Sequence, residues 1–350
     1  MNSKERIALR LSSHGLLSKE ENPLDVLRQT VGIQAQTQST AELNMALRTQ
    51  GLTAQHLSNL YESQTIIRSW ANRWTLHLFD CSDWELMISA RQDETFLSSY
   101  YFGQKETSLK IIEDLTLLFA QRKRLSKPEI EDFIHQNFPE FSFESNATAL
   151  YGILQSMTHQ GLIYFDASKP HANYELISAD KSVLQNAEQA IEELILRYLK
   201  GFTPAGLKDF VKWSGIRIAR ARKIWKKLEL NEEEPVLLSS MERQSLLEKI
   251  EKETIISARF DSLLTGYEDK TWLTPENRIA DMWTKNGLLM APIIYDGQLV
   301  GKWYYKVTGN PITFLIDHWL PLNKGQLEEK LLPVAEFLKV QIKEIKYTEI

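Results

Sequence analysis

Residues 201–228, GFTPAGLKDFVKWSGIRIARARKIWKKL, hold two short apolar-periodic segments on either side of a Ser214-Gly215 break. Few local folds accept that pattern, and the spacing predicts a helix-turn-helix. Thr203 is placed to cap the first helix, with Pro204 at its first position, where a missing N–H costs nothing. Leu207, Phe210 and Val211 give that helix one apolar face. The second pattern starts at Ile216, and Ala221, Ile224, Trp225 and Leu228 recur at helical spacing as its buried stripe. Arg220, Arg222, Lys223, Lys226 and Lys227 fall opposite the stripe, with Arg217 near the boundary. A helix so divided suits nucleic-acid phosphate, where clustered cations gain affinity by releasing counterions. A solvated basic face is the competing reading.

The rest of the chain sets bounds on that patch. At 350 residues it should hold two or three units, and a hydrophobic share of 43% with 25% charged residues is ordinary for a globular protein. The net charge of −5 means that a nucleic-acid surface must be local, and residues 197–227 are the clearest candidate. Cys81 is the only cysteine, which excludes an intramolecular disulfide and a cysteine-based zinc cluster. The seven histidines show no paired metal-ligand spacing, and there is no P-loop, GxGxxG or GxSxG. No metal or nucleotide cofactor is expected. With no signal peptide or membrane span in the pattern, a cytoplasmic protein is expected.

Read in order, the chain divides into four segments and a mainly α fold with small β wings (α+β): tandem winged helices and a C-terminal α+β cap. Residues 1–82 carry helices near Ile7, after Asn22 and from Thr40, then an extended piece from Trp74 to Phe79. Residues 83–182 carry helices over 111–122, after Ser126 and over 146–160, then two wing strands, 162–165 and 174–177. Residues 183–245 repeat the plan with a helix over 187–199, the helix pair above and a wing strand at 235–238. In residues 246–350, Asp296-Gly297 predicts a tight hairpin, followed by a strand over 312–316 and a helix over 326–343.

Residues 31–40, VGIQAQTQST, separate two of the first helices. Alternation would put Gln34 and Gln36 on one side if the backbone is extended, and about 200° apart if it is helical. Taken alone they read as polar residues capping the helix that begins near Ser39.

Five ordered blocks then match a known pattern. They are Gly32-Ile33-Gln34-Ala35-Gln36, IRSWANRWTLH at 67–77, Thr203-Pro204 through Trp213-Ser214-Gly215, ARFDSLL at 258–264 and DGQLVGKW at 296–303. Through them the chain resembles, over nearly its full length, the AlkZ/YcaQ-type winged-helix DNA glycosylases. The resemblance implies three tandem winged helices around a DNA-sized concavity. It also implies excision of alkylated purines, crosslinked ones included in some members, with Gln34 and Gln36 as the catalytic pair. The expected partner is alkylated double-stranded DNA, bound by a monomer. A winged-helix DNA-binding protein without catalysis, such as a regulator, is the alternative.

Glutamine is a poor general base, but a purine alkylated at N7 or N3 is cationic and departs neutral, without an enzyme acid. What remains is to place a water beneath C1′ and to stabilise a sugar of oxocarbenium character, which amide oxygens can do. Arg68 and Arg73, beside Trp70 and Trp74, are candidates for phosphate contact or base stacking. His77, alternating with Leu76 and Leu78, reads as satisfying a backbone group, and Asp261 as orienting Arg259 or Arg278. The chain departs from the family pattern at Trp74, where relatives usually carry glycine.

Overall fold

The computed structural model describes residues 1–93, 104–141, 148–169, 171–232 and 240–350. These form two compact units, Met1–Leu57 with Ile195–Ile350, and Ser58–Leu194. The architecture is α+β, mainly helical with small sheets. The four segments drawn from the sequence follow motifs rather than these units.

The first unit opens with α1 (Ser3–Ser13), capped by Asn2, whose side chain accepts from Glu5 N while Glu5 reaches back to Asn2 N. Asn22 caps α2 (Pro23–Thr30) as its position before Pro23-Leu24-Asp25 predicts. After β1 (Ile33–Gln34) come α3 (Gln38–Arg48) and α4 (Ala54–Glu62).

In the second unit β2 (Ile66–Trp70) and β3 (Leu76–Asp80) form a hairpin in which Trp70 faces Leu76, and α5 (Cys81–Ser89) follows. Then come α6 (Lys105–Arg122), β4 (Arg124–Ser126), α7 (Lys127–Asn137), α8 (Ala149–His159), β5 (Ile163–Phe165) and β6 (Glu175–Ser178). This is the winged order that the sequence predicts over its second segment. Its strands run β3-β2-β5-β6-β4. A core of Ile111, Leu115, Phe119, Ile130, Ile153 and Leu176 lies against Trp70 and Leu76, so the hairpin shares the winged-helix core.

The chain returns to the first unit through α9 (Ala187–Phe202), α10 (Leu207–Ser214) and α11 (Ile218–Lys227). Gly201 is fixed by contact: a Cβ there would lie 1.8 Å from the carbonyl oxygen of Gln29, so only glycine lets α9 approach the end of α2. The expected cap at Thr203-Pro204 is corrected. Pro204 O instead accepts from Arg10 Nε and Nη2 at 3.0 and 2.8 Å, and Thr203 O from Ser13 Oγ at 3.0 Å. Those carbonyls are committed to α1 side chains, and α10 starts at Leu207 behind Gly206, whose N–H donates to Asp209. The wing strand expected at 235–238 lies outside the described residues.

After α12 (Ser240–Ile250) the last sheet contains β7 (Thr254–Ile256), with α13 (Ser262–Thr265) and α14 (Ile279–Met282) before β8 (Ala291–Tyr295), β9 (Gln298–Val307) and β10 (Pro311–His318). The Asp296-Gly297 hairpin forms as expected, with φ of 50° and 71°. The final helix is shorter than expected. The helix α15 (Lys324–Phe337) stops before Lys339, at φ 55°, and β11 (Gln341–Glu349) pairs parallel to β10. The free edge of β10 takes up backbone groups that a continued helix would have bonded internally.

Candidate nucleic-acid interface and glutamine loop

The glutamine loop is set by the end of α2. Val31 adopts φ 47° and Gly32 φ 91°, and Gly32 N returns to Leu27 O at 2.9 Å. A β-branched residue in that region is costly and signals a backbone held by its surroundings. Beyond the turn Ile33 and Ala35 are buried, Gln34 is half-buried and Gln36 exposed. That alternation puts both glutamines on the side opposite Ile33 and Ala35, although the Gln34 amide oxygen is covered there. Gln34 Oε1 is buried without a hydrogen-bond partner among the described residues, an acceptor left open. The following helix has Thr37 at its N-cap, which makes no side-chain cap bond.

Behind the loop α3 carries polar groups on its buried side. Arg48 and Asp261, each 1% exposed, form an ion pair at 2.8 Å, and Asp261 also accepts from Leu263 N to cap α13. Asp261 therefore orients Arg48, rather than Arg259 or Arg278 as the sequence suggests; Arg278 pairs with Asp281. His14 is fully buried. Tyr267 Oη donates to Phe202 O, so it accepts from His14 Nε2 at 3.0 Å, and His14 Nδ1 takes Ser262 Oγ at 3.2 Å. Burial, then the charges of Arg48 and Arg10, hold this imidazole well below its usual pKa, so it is neutral. The sequence reading missed this network. Its signal was available, since Asn44 and Arg48 share the apolar stripe of α3 with Ala41 and Met45.

On α11 the expected division holds except at Leu228, which caps the helix end and is only half-buried. Ala221, Ile224 and Trp225 are buried, while Arg217, Lys223, Lys226 and Lys227 are exposed and Arg220 half-buried. The Trp225 indole donates to Asn231 O at 2.8 Å, and Gly215 turns the chain at φ 76°. Arg222 is drawn aside by Glu232 at 3.0 Å.

The second unit treats its cations differently. Arg68, in the middle of β2, is 2% exposed and sealed from a phosphate as it stands. Arg73 is half-buried at the hairpin tip, where burial lowers its pKa. Arg73 and Trp74 have φ of 50° and 58°, the left-handed pair of a tight turn, so glycine suits the Trp74 position sterically. Trp74 is retained by contacts: its ring lies 5.5 Å from that of His159, with the Arg91 guanidinium 5.3 Å from its centroid. His77 Nδ1 bonds Thr75 O at 2.9 Å, and burial takes its pKa down to about 3, with the charges of Arg73 and Arg91 also lowering it.

The family described as DNA glycosylase AlkZ-like matches residues 27–337. An interstrand DNA cross-link repair glycosylase of Streptomyces sahachiroi is 22% identical over 301 residues, covering 80% of this chain and 81% of the relative. The solved structure of Streptomyces sahachiroi DNA glycosylase AlkZ superposes with a TM-score of 0.78 at 18% identity, over 99% of this chain and 100% of that one. A family match across most of the length, on a shared fold, places this chain in the AlkZ-like DNA glycosylase family.

Proposed function

We propose that this glycosylase excises cationic alkylated purines from double-stranded DNA by hydrolysis of the N-glycosidic bond, as a cytoplasmic monomer, with Gln34 and Gln36 at the chemistry. The observation that supports this most is the pairing of the two glutamines on one side of a strained loop, opposite Ile33 and Ala35, with the buried Gln34 Oε1 lacking a partner among the described residues. A carboxamide oxygen with an open lone pair can hold a water for attack at C1′. The second carboxamide can direct its dipole at the positive charge developing on the sugar, a preorganised arrangement that needs no proton transfer to the leaving base. Arg217, Arg220, Lys223, Lys226 and Lys227 on α11 supply phosphate contact without reading sequence, as a lesion enzyme requires. The relative named for interstrand cross-link repair makes a purine linked to the opposite strand the natural second substrate to try.

The test is single-turnover release of N7-methylguanine from duplex DNA by wild type, Gln34→Ala, Gln36→Ala and Gln36→Asp, beside their melting temperatures. Gln36→Ala is expected to slow release by on the order of 10²-fold with little change in DNA affinity. Gln36→Asp keeps measurable activity, because a carboxylate can accept the same water. If the pair only supports the start of α3, alanine lowers stability by about 0.5 to 2 kcal/mol and leaves release per folded molecule unchanged.

A further inference from the structure

The ARFDSLL block at 258–264 contains a cation for which the buried network has no use. Asp261, two residues along, is committed to Arg48 in a pair buried on both sides. Arg259 is thereby left without its nearest carboxylate in sequence. Among the described residues its guanidinium has neither a hydrogen bond nor an ion pair, and its Nε is buried without a partner. Its recorded neighbours are aromatic: the Phe260 ring centroid lies 5.4 Å from the guanidinium carbon. A solvated surface arginine would show its Nε to water, and a structural one would have its donors filled, as buried polar groups nearly always do.

The backbone that carries Arg259 is held rigidly. Asn44 on α3 clamps it from both sides, accepting from Ala258 N at 2.9 Å and donating to Arg259 O at 3.1 Å. The Arg48–Asp261 pair secures the same loop one turn further along α3. Phe260 is held at φ 58°, a conformation that bulky residues adopt only where their surroundings enforce it. Strained backbone presenting an unpartnered cation is the pattern of a ligand clamp. Its location indicates the ligand: Asn44 is six residues into α3 from Gln38, which follows the glutamine loop, so at ~1.5 Å rise per residue the clamp sits about 9 Å along the helix from that loop.

We propose that Arg259 is a DNA-binding residue that grips a phosphodiester close to the scissile nucleotide, with Asn44, Arg48 and Asp261 as the positioning residues that mount it. A planar guanidinium with an unused fork of donors matches two non-bridging phosphate oxygens. The loop holding it is tied to α3, the helix that directly follows the Gln34–Gln36 loop, so gripping the backbone there fixes the sugar relative to the glutamines. The inference rests on the assignment of DNA as substrate and deepens it.

Binding of an undamaged labelled duplex, titrated across salt concentrations, tests the contact without requiring excision. In the full chain, Arg259→Ala is expected to flatten the log–log salt slope by about 0.9, the value for one phosphate contact, and to weaken binding about fivefold at physiological salt for every sequence. Arg259→Lys keeps the slope, since the charge remains. On N7-methylguanine duplex with enzyme in excess, Arg259→Ala slows base release by on the order of tenfold even at saturation, because the sugar is held less accurately, and Arg259→Lys recovers only part of that rate. An unchanged salt slope in Arg259→Ala overturns the proposal, and a lowered melting temperature beside it makes the guanidinium a packing element. A wild type that binds duplex but releases no base sinks the excision reading instead, while the slope still decides the fate of Arg259.

Discussion

Lys223, Lys226 and Lys227 on α11 stand exposed, whereas Arg68 on β2 is sealed and Arg73 half-covered, although both groups of cations read alike as phosphate ligands in the sequence. The difference lies in the elements that carry them. A helix that buries Ala221, Ile224 and Trp225 must turn its remaining positions outward, so the helical period alone settles where the lysines go. A strand has two faces, and the burial of each depends on what packs there. All five residues of β2 are buried, so alternation could not tell which side chains would see solvent. Periodic charge on an amphipathic helix is therefore dependable evidence for a surface, and charge in a strand is not.

Replacing one cation from each region tests this contrast. Arg68→Ala is expected to cost about 2 to 4 kcal/mol by denaturant unfolding, through lost packing and a cavity, with no change in the salt slope of DNA binding. A flatter slope at full stability would return Arg68 to the DNA surface. Lys223→Ala with Lys226→Ala should do the reverse, leaving stability within about 0.5 kcal/mol. It should flatten the slope by about 1.8 and weaken binding on the order of 30-fold at physiological salt, equally on all duplexes. A loss confined to one DNA sequence would point to a regulator.

A smaller effect separates the regions by pH. His77 is held neutral in the second unit, with a pKa of about 3, so the unfolded chain takes up its proton first as pH falls. Its contribution is complete above about pH 6.5 and is lost as pH falls from there toward 3. Between pH 6.5 and 5 the loss approaches about 2 kcal/mol. Urea unfolding at both pH values should show a shallower decline in His77→Asn than in wild type; an equal decline would mean that the imidazole is already hydrated. His14 in the first unit has the same sign, since burial and two arginines depress it, whereas α11 has no histidine and its contribution to DNA binding should be flat across that range.

The smallest effect concerns the hairpin tip. Trp74→Ala loses the contacts with His159 and Arg91 and keeps the left-handed strain, while Trp74→Gly loses the same contacts and removes the strain. Glycine should therefore be the more stable variant by about 1 kcal/mol. If alanine proves equal or better, the turn is not strained at that residue.

Much of this protein is written locally. The Asn22-Pro23 start of α2, the Gly215 turn, the two-faced α11, the Asp296-Gly297 hairpin and the winged order of the second unit each follow from residues within a few positions of one another, because caps, turns and periods are short-range physics. The separation of Gln34 and Gln36 by one small residue fixes their shared side once the backbone is extended, and local spacing could not show that it is. Buried Ile33 and Ala35, with the left-handed Val31, decided that. Long-range partners decided the rest. Arg10 and Ser13 capture the carbonyls that were expected to open a helix at Thr203-Pro204, β10 recruits residues 341–349 out of a helix, and Arg48 rather than Arg259 takes Asp261. In each case the partner is remote in sequence. For Arg10 and for Arg48 the bond is sealed from water and outweighs the local preference, since a buried polar group left unmatched costs more than a helical turn gains; for residues 341–349, which stay at the surface, it is the run of backbone bonds along β10 that competes with the helix.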